Sequence, residues 1–411
     1  MTSIQTTPRT RTSHVGLAIL ALALGGFAIG TTEFVTMGLL PDIAEGIDES
    51  IPTTGHIISA YAVGVVVGAP VIVSLAARLP RRELAIGLVL ALGLGNAITA
   101  LAHGYWEVMA ARFISGLPHG AYFGVASLVA VSLVAPERRG RAVSGVMLGL
   151  TVATLVGVPA GTVLGQQLGW RTAYWAVLGI AVAAAALVLL FVPHQPGNPD
   201  ATVRAELAAL KRPQVLFAVS AGMVGFGGVF AMYSYIAPVV TDVTDLTRGA
   251  IPAFVFAFGV GSVAGTWLAG RLADWDVERT VLAGFAVLVV TLVAFALSAG
   301  LAVPAFALVM AVGVLGSVLA INLQVRLMHV AGEAQMLGAA LNHSALNIAN
   351  GLGAWFGSIV IAAGFGYRAP SIVGAALAVG GLVIFAIGLA QSRAETAAYA
   401  ASQLTEGPPD R

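Results

Sequence analysis

The sequence predicts an all-α membrane protein, twelve transmembrane helices in two pseudo-symmetric six-helix bundles. Three observations carry this. Hydrophobic residues make up 58% of the 411 and charged residues 9%, whereas a soluble chain carries about a quarter charged residues. Apolar segments near the length needed to cross a bilayer, roughly 20 residues, recur twelve times along the chain. A single long polar interruption, residues 192–213, contains four prolines and divides those segments six and six. Prolines and mixed charges suit an interfacial connector better than a buried element. The expected domains are an N-terminal bundle over 1–192, a cytoplasmic linker over 193–213, and a C-terminal bundle with its tail over 214–411. Residues 203–210 of the link are expected to form a short amphipathic helix on the membrane surface.

The first half supplies spans at 15–40, 55–76, 83–101, 107–134, 139–166 and 171–191. The second supplies 214–240, 251–268, 280–299, 304–323, 334–363 and 371–390. The first apolar run is too long for a leader and lacks a small-residue cleavage site, so it reads as a retained helix. With the N-terminus inside, sixteen of the twenty basic residues fall on the inner side, and only Arg112, Arg171, Arg248 and Arg368 lie at or near the outer side. That bias predicts a multi-pass protein with both termini cytoplasmic. The acids Asp42, Glu45, Asp48 and Glu49 then form a solvated outer loop.

The halves echo one another. Arg171 recurs as Arg368 and Pro41 as Pro238, each 197 residues on, while 77–79 (ARL) recurs at 270–272 (GRL) with an offset of 193. A parallel duplication places a solute site between the halves, near the membrane midplane.

Composition also excludes several classes. A net charge of +1 with dispersed arginines offers no nucleic-acid face. Zero cysteines exclude disulfides and thiolate metal sites, and the seven histidines have no metal-ligand spacing. The GxG patterns lie inside apolar helices without the strand and lysine context of a phosphate cradle, so no cofactor is expected. No oriented catalytic set stands out, and the chain reads as a secondary transporter rather than an enzyme. Its expected partners are a small organic solute, protons and membrane lipid, with the monomer as the functional unit.

Glu33 sits inside the first span beside Thr31, Thr32 and Thr36. A carboxylate at that depth is costly unless paired or hydrated, which points to proton binding or solute recognition; a structural carboxylate bonded between helices is the alternative. Arg112 lies about one turn into the fourth span, and His119, seven residues on, shares its face. Together they are candidates for coupling proton arrival to Glu33. In the fifth span Gly149, Gly157 and Gly161 permit close helix contact and Pro159 a bend, which suits gating or plain tight packing. Asn342, His343, Asn347 and Asn350 make the eleventh span polar, and 343, 347 and 350 share one helical face that suits cavity lining. Phe34, Met37, Tyr61, Phe226, Phe230 and Tyr233 are aromatic and thioether candidates for a moderately hydrophobic solute.

The fragments GTTEFVTMGLLPDIA at 30–44, RFISGLPHG at 112–120 and GLTVATLVGVPAGTVLG at 149–165 carry a family resemblance. The chain resembles the major facilitator superfamily, in its drug and sugar proton-antiporter branch of arabinose-efflux-like and chloramphenicol-resistance-like permeases. The first fragment resembles that branch's first-helix signature, the second its arginine motif, the third its antiporter motif. The loop after the second span departs from the family pattern. Arg78, Arg81 and Arg82 fill its basic positions, while Val73 and Ala77 replace the glycine and aspartate and Pro80 the later glycine. Arg271 and Asp274 in the second half are expected to form a replacement gate contact. The resemblance implies proton-coupled efflux of an amphiphilic drug, such as a chloramphenicol-like antibiotic, by alternating access. A sugar or nucleoside exporter and a non-transporting membrane receptor or scaffold are the alternatives.

Overall fold

The computed structural model describes residues 12–76, 79–196, 212–331 and 335–405. Arg78, Ala77 and the surface helix expected at 203–210 lie outside the described residues. The N-terminal half contains α1 (Thr12–Gly38), a corner helix α2 (Leu40–Gly46), α3 (Ile51–Ala76), α4 (Arg81–Leu101), α5 (Tyr105–Ser132), α6 (Arg139–Val152), α7 (Val158–Leu168) and α8 (Arg171–Phe191). The C-terminal half contains α9 (Pro213–Gly225), α10 (Gly227–Tyr233), α11 (Ile251–Ser298), α12 (Ala302–Ala331), α13 (Gln335–Val360) and α14 (Ala369–Thr405). Eleven helical segments among the described residues are long and apolar enough to cross a membrane. One of them contains α11, whose helical path breaks at Asp276 (φ −169°, ψ 107°), so this segment makes two crossings and the total is twelve. The break is built locally, since Asp276 Oδ1 accepts the Arg279 N–H at 2.9 Å and caps the second crossing.

The duplication is visible in backbone detail. Gly169 and Gly366 both take positive φ, at 91° and 74°, where no Cβ obstructs the turn into the sixth and twelfth spans. Asp48 and Asp245 do the same at 56° and 57°, and all four residues obey the 197-residue offset. The crossing of α3 with α5 recurs as the crossing of α11 with α12. A Cβ on Gly64 would strike the Phe113 carbonyl and one on Gly116 the Tyr61 carbonyl; Gly261 and Gly313 stand in the same relation to Met310 and Phe258. With little hydrophobic drive between helices in lipid, such close backbone approach supplies the packing.

Two expected spans are less regular than their apolar pattern suggests. The fifth contains a π-turn at Ala153–Gly157, because Pro159 has no N–H to close a helical bond to Leu155. The seventh is not one helix over 214–240. It breaks between α9 and α10 and again at Tyr235, then ends in a π-turn at Val239–Val243, with Pro238 removing another donor.

Candidate solute and proton site

Glu33 lies about one and a half turns before the C-terminal end of α1, and its side chain is enclosed. A partner comes from the other half: Asn350 Nδ2 on α13 donates to Glu33 Oε1 at 3.2 Å. One residue earlier, Thr32 takes Arg112. The guanidinium donates through Nη1 to Thr32 Oγ1 at 2.8 Å and through Nη2 to Thr32 O at 3.0 Å. Thr32 Oγ1 in turn donates to Asn96 Oδ1 on α4 at 2.5 Å, and Asn96 is oriented by its own bond to Leu92 O. Thr36, a turn further along α1, meets Tyr174 Oη of α8 at 2.9 Å.

Arg112 is fully buried and two turns inside α5, deeper than the helix-end position the sequence suggested. No carboxylate pairs with it among the described residues, so the cation is held by neutral acceptors and by ring faces. Its Cζ lies 4.4 Å from the Tyr61 ring centroid and 5.5 Å from that of Tyr174. Tyr61 therefore positions the cation, and its hydroxyl meets His119 Nδ1 at 3.1 Å. His119 reaches the cluster through Tyr61 and packs on Phe123, whose ring stacks on His343 of the opposite half at 6.0 Å.

An aromatic wall adjoins Glu33. Phe34 stacks on Phe230 at 6.3 Å and meets the Tyr233 edge at 6.3 Å, while Phe226 lies 5.5 Å from Phe230 and Tyr233 stacks on Phe258 at 3.9 Å. Met37 is buried in the same core as these rings. Beside this wall Tyr233 Oη, Ser234 Oγ and the Oδ1 atoms of Asn347 and Asn350 are buried without a partner among the described residues. Buried polar atoms are ordinarily satisfied, so these four have bonding capacity left for an external group. Asn342 spends its amide N–H₂ on Ala320 O and joins two helices of one half.

The glycine face of the fifth span packs on α1. Cβ atoms at Gly149, Gly157 and Gly161 would run into Ala23, into Thr31 with Phe27, and into Val35. Arg82 binds Glu83, which also holds His194, and the Arg81 N–H donates to Gln195 O. Arg271 and Asp274 do not pair. Arg271 lies over the Trp267 ring, with its Cζ 3.5 Å from the centroid, because that exposed indole one helical turn earlier captures the guanidinium. Just past the α11 break, Glu278 pairs with Arg326 of α12, at 2.8 Å.

Four contributors escaped the sequence reading. Asn96 and Tyr174 were legible only as isolated polar groups inside apolar runs. His56 bridges Tyr105 Oη at 3.0 Å and Ser358 Oγ at 2.9 Å, tying α3 to α13. Arg248 binds Asp42 and Glu45 at 3.4 and 3.0 Å, while Gln166 donates to its carbonyl. Among the described residues, ion pairs between the halves occur at this end alone.

The family profile described as Major Facilitator Superfamily matches residues 22–336. Inner membrane transport protein YdhP of Escherichia coli (strain K12) is 40% identical over 364 residues, covering 89% of this chain and 94% of the relative. A chloramphenicol resistance protein of Streptomyces lividans is 35% identical, covering 87% and 91%. Among solved structures, a D-xylose-proton symporter superposes with a TM-score of 0.71 at 17% identity, covering 90% and 96%. A bacterial homolog of the human lysosomal transporter Spinster, inward-facing and unoccupied, gives 0.70 at 16%, covering 92% and 96%. At such identities these two structures speak to the fold.

Proposed function

The chain belongs to the major facilitator superfamily and is a multi-span secondary transporter of a small organic solute; within that family we propose that it is a proton-driven exporter in a bacterial inner membrane, with both termini cytoplasmic. Its solute is an amphiphilic drug of the chloramphenicol type, held between Phe34, Phe226, Phe230 and Tyr233 and bonded by the free amide oxygens of α13. The observation that carries the reading is the Glu33–Asn350 bond, which joins the candidate proton site directly to the opposite half. An ionised Glu33 accepts this bond strongly and draws on the nearby Arg112 cation; a protonated one does neither to the same degree. Proton binding therefore changes the contact between halves, the differential interaction that an alternating-access cycle requires. Residues 1–192 and 214–411 rock about the site as two bodies joined by 193–213, in a single functional chain.

On this orientation the His56 and Arg248 contacts close the outer end, and release outside requires them to part. Arg81 and Arg82, with Arg78, belong to the inner gate, and the packed face of Gly149, Gly157 and Gly161 with the bend at Pro159 lets α1 and the fifth span move together. His119 reports on Arg112 through Tyr61. Arg271 and Asp274 have no shared contact to support a gate role.

The test is counterflow and gradient-driven flux of labelled chloramphenicol in proteoliposomes, with Glu33→Gln. The amide keeps the shape of the carboxyl without its charge, so counterflow persists while gradient-driven flux is lost. Unchanged gradient-driven flux would remove Glu33 from the coupling step. A sugar or nucleoside exporter is the second reading, favoured by the free polar atoms of Tyr233, Ser234, Asn347 and Asn350. Competition by those metabolites and not by drugs selects it, and binding without flux would identify a receptor.

A further inference from the structure

A groove of about 470 Å³ runs along the seam between the halves, away from the Glu33 site, lined by His56, Ala60, Val63, Trp106, Ala110, Trp355 and neighbouring residues. We propose that this groove is a specific site for one acyl chain of an outer-leaflet phosphatidylethanolamine, and that the bound lipid stabilises the outward-closed arrangement. The choice of leaflet rests on the orientation proposed above; the existence of the site does not.

Depth and lining select a hydrocarbon chain. From His56 to Val63 the wall follows α3 for about 10 Å at 1.5 Å per residue. That is most of one leaflet's hydrocarbon, about 15 Å or half of the roughly 30 Å core. Trp106 stands 77% exposed at the second residue of α5, and Trp355 is 48% exposed near the end of α13. Indoles at span ends sit at the headgroup boundary, which fixes the mouth of the groove there. His56 has both ring nitrogens engaged by Tyr105 and Ser358, and Ser59 Oγ donates to Gly351 O, so the polar side chains of the lining are spent on the protein and the channel is apolar. No arginine or lysine lines the groove. The mouth carries both signs: Glu107 accepts the His103 N–H at 2.7 Å, Glu49 lies within electrostatic range of Tyr105, and Arg171 donates to Ala102 O at 2.8 Å, a set that suits a zwitterionic ammonium-and-phosphate headgroup over a net-anionic one.

The groove has walls from both halves: α3 and α5 on one side, Trp355 of α13 on the other. The His56–Ser358 bridge spans the same seam. A chain seated here contacts both halves only while they are joined at this end. Parting them dismantles the site, so the lipid binds one state in preference and shifts the equilibrium toward it.

Native mass spectrometry of the delipidated full chain, titrated with palmitoyl-oleoyl phosphatidylethanolamine and separately with the matching phosphatidylglycerol, tests this. One phosphatidylethanolamine is expected to bind saturably, and Ala110→Phe to weaken it at least tenfold. Ala110 is exposed, so the added ring enters the groove and not the core. Val182→Phe, on a distant exposed face of α8, is the control and leaves binding unchanged. Trp355→Ala removes a wall without adding bulk and is expected to weaken the same lipid, which keeps the test sound if Ala110→Phe misfolds. Equal binding by wild type and both groove variants would overturn the proposal, as would a preference for phosphatidylglycerol. A dimer mass that disappears in Ala110→Phe, with no lipid bound in the wild type, would give the groove to a second copy of the chain instead.

Discussion

Replacing Thr32 by Val tests whether the Arg112 cluster is a connected network or a set of separate contacts. The hydroxyl of Thr32 accepts from Arg112 Nη1 and donates to Asn96 Oδ1, both in a site without solvent exposure. Valine keeps the shape and leaves two polar groups without partners. An orphaned buried group costs about 1–3 kcal/mol, more when it is charged, so the single change is expected to cost about 3–5 kcal/mol. Asn96→Leu in the same chain removes one of the two orphans in advance, and Thr32→Val made in that background should cost about 1–3 kcal/mol less. The assay is equilibrium unfolding in mixed dodecyl-sulfate micelles, followed by tryptophan fluorescence, on both single variants and the double. Additivity within about 0.5 kcal/mol would refute the network, because residues sharing no partner add to that accuracy.

Two further outcomes follow from the geometry. Gly149→Val drives a side chain into the Ala23 carbonyl, a backbone atom that cannot swing aside; it should destabilise by about 1–3 kcal/mol and reduce flux, read from the same unfolding assay and from counterflow. Asp42 supplies a pH dependence at the outer clasp. Burial pushes its carboxyl above the usual range, with the Arg248 guanidinium opposing. If opening the clasp returns Asp42 to water, the closed form binds this proton more tightly than the open form, so closure is favoured at low pH and loses that advantage as pH rises through the raised value. Distances between spin labels on the outer ends of α3 and α11 should shorten as pH falls through that range, and Asp42→Asn should abolish the response.

The sequence by itself determined that this is a helical membrane protein, where its spans lie, and that its halves are copies. Those properties reside in composition, in the length of apolar runs and in offsets that can be counted, and lipid permits few other solutions for such a chain. Pro159 even announced an irregular fifth span. Glu33, Arg112 and the α13 amides were recognisable because any polar group at that depth is conspicuous. What they touch was not. Arg112 and Thr32 are 80 residues apart and Asn350 and Glu33 317 apart, and no local periodicity specifies which faces of distant helices meet. The duplication itself misleads here, for the position matching Arg112 is Val309 and that matching Tyr61 is Phe258. The Arg112 cluster lies within the N-terminal half, and the Glu33–Asn350 bond that adjoins it is set by how the two bundles pack. Arg271 is different, since Trp267 lies one turn away on the same helix and local periodicity puts it in reach, whereas Thr32 and Asn350 meet Arg112 and Glu33 from distant helices. Tertiary structure decided these pairings because side-chain energies depend on separations of a few ångströms, which only the packed bundle fixes.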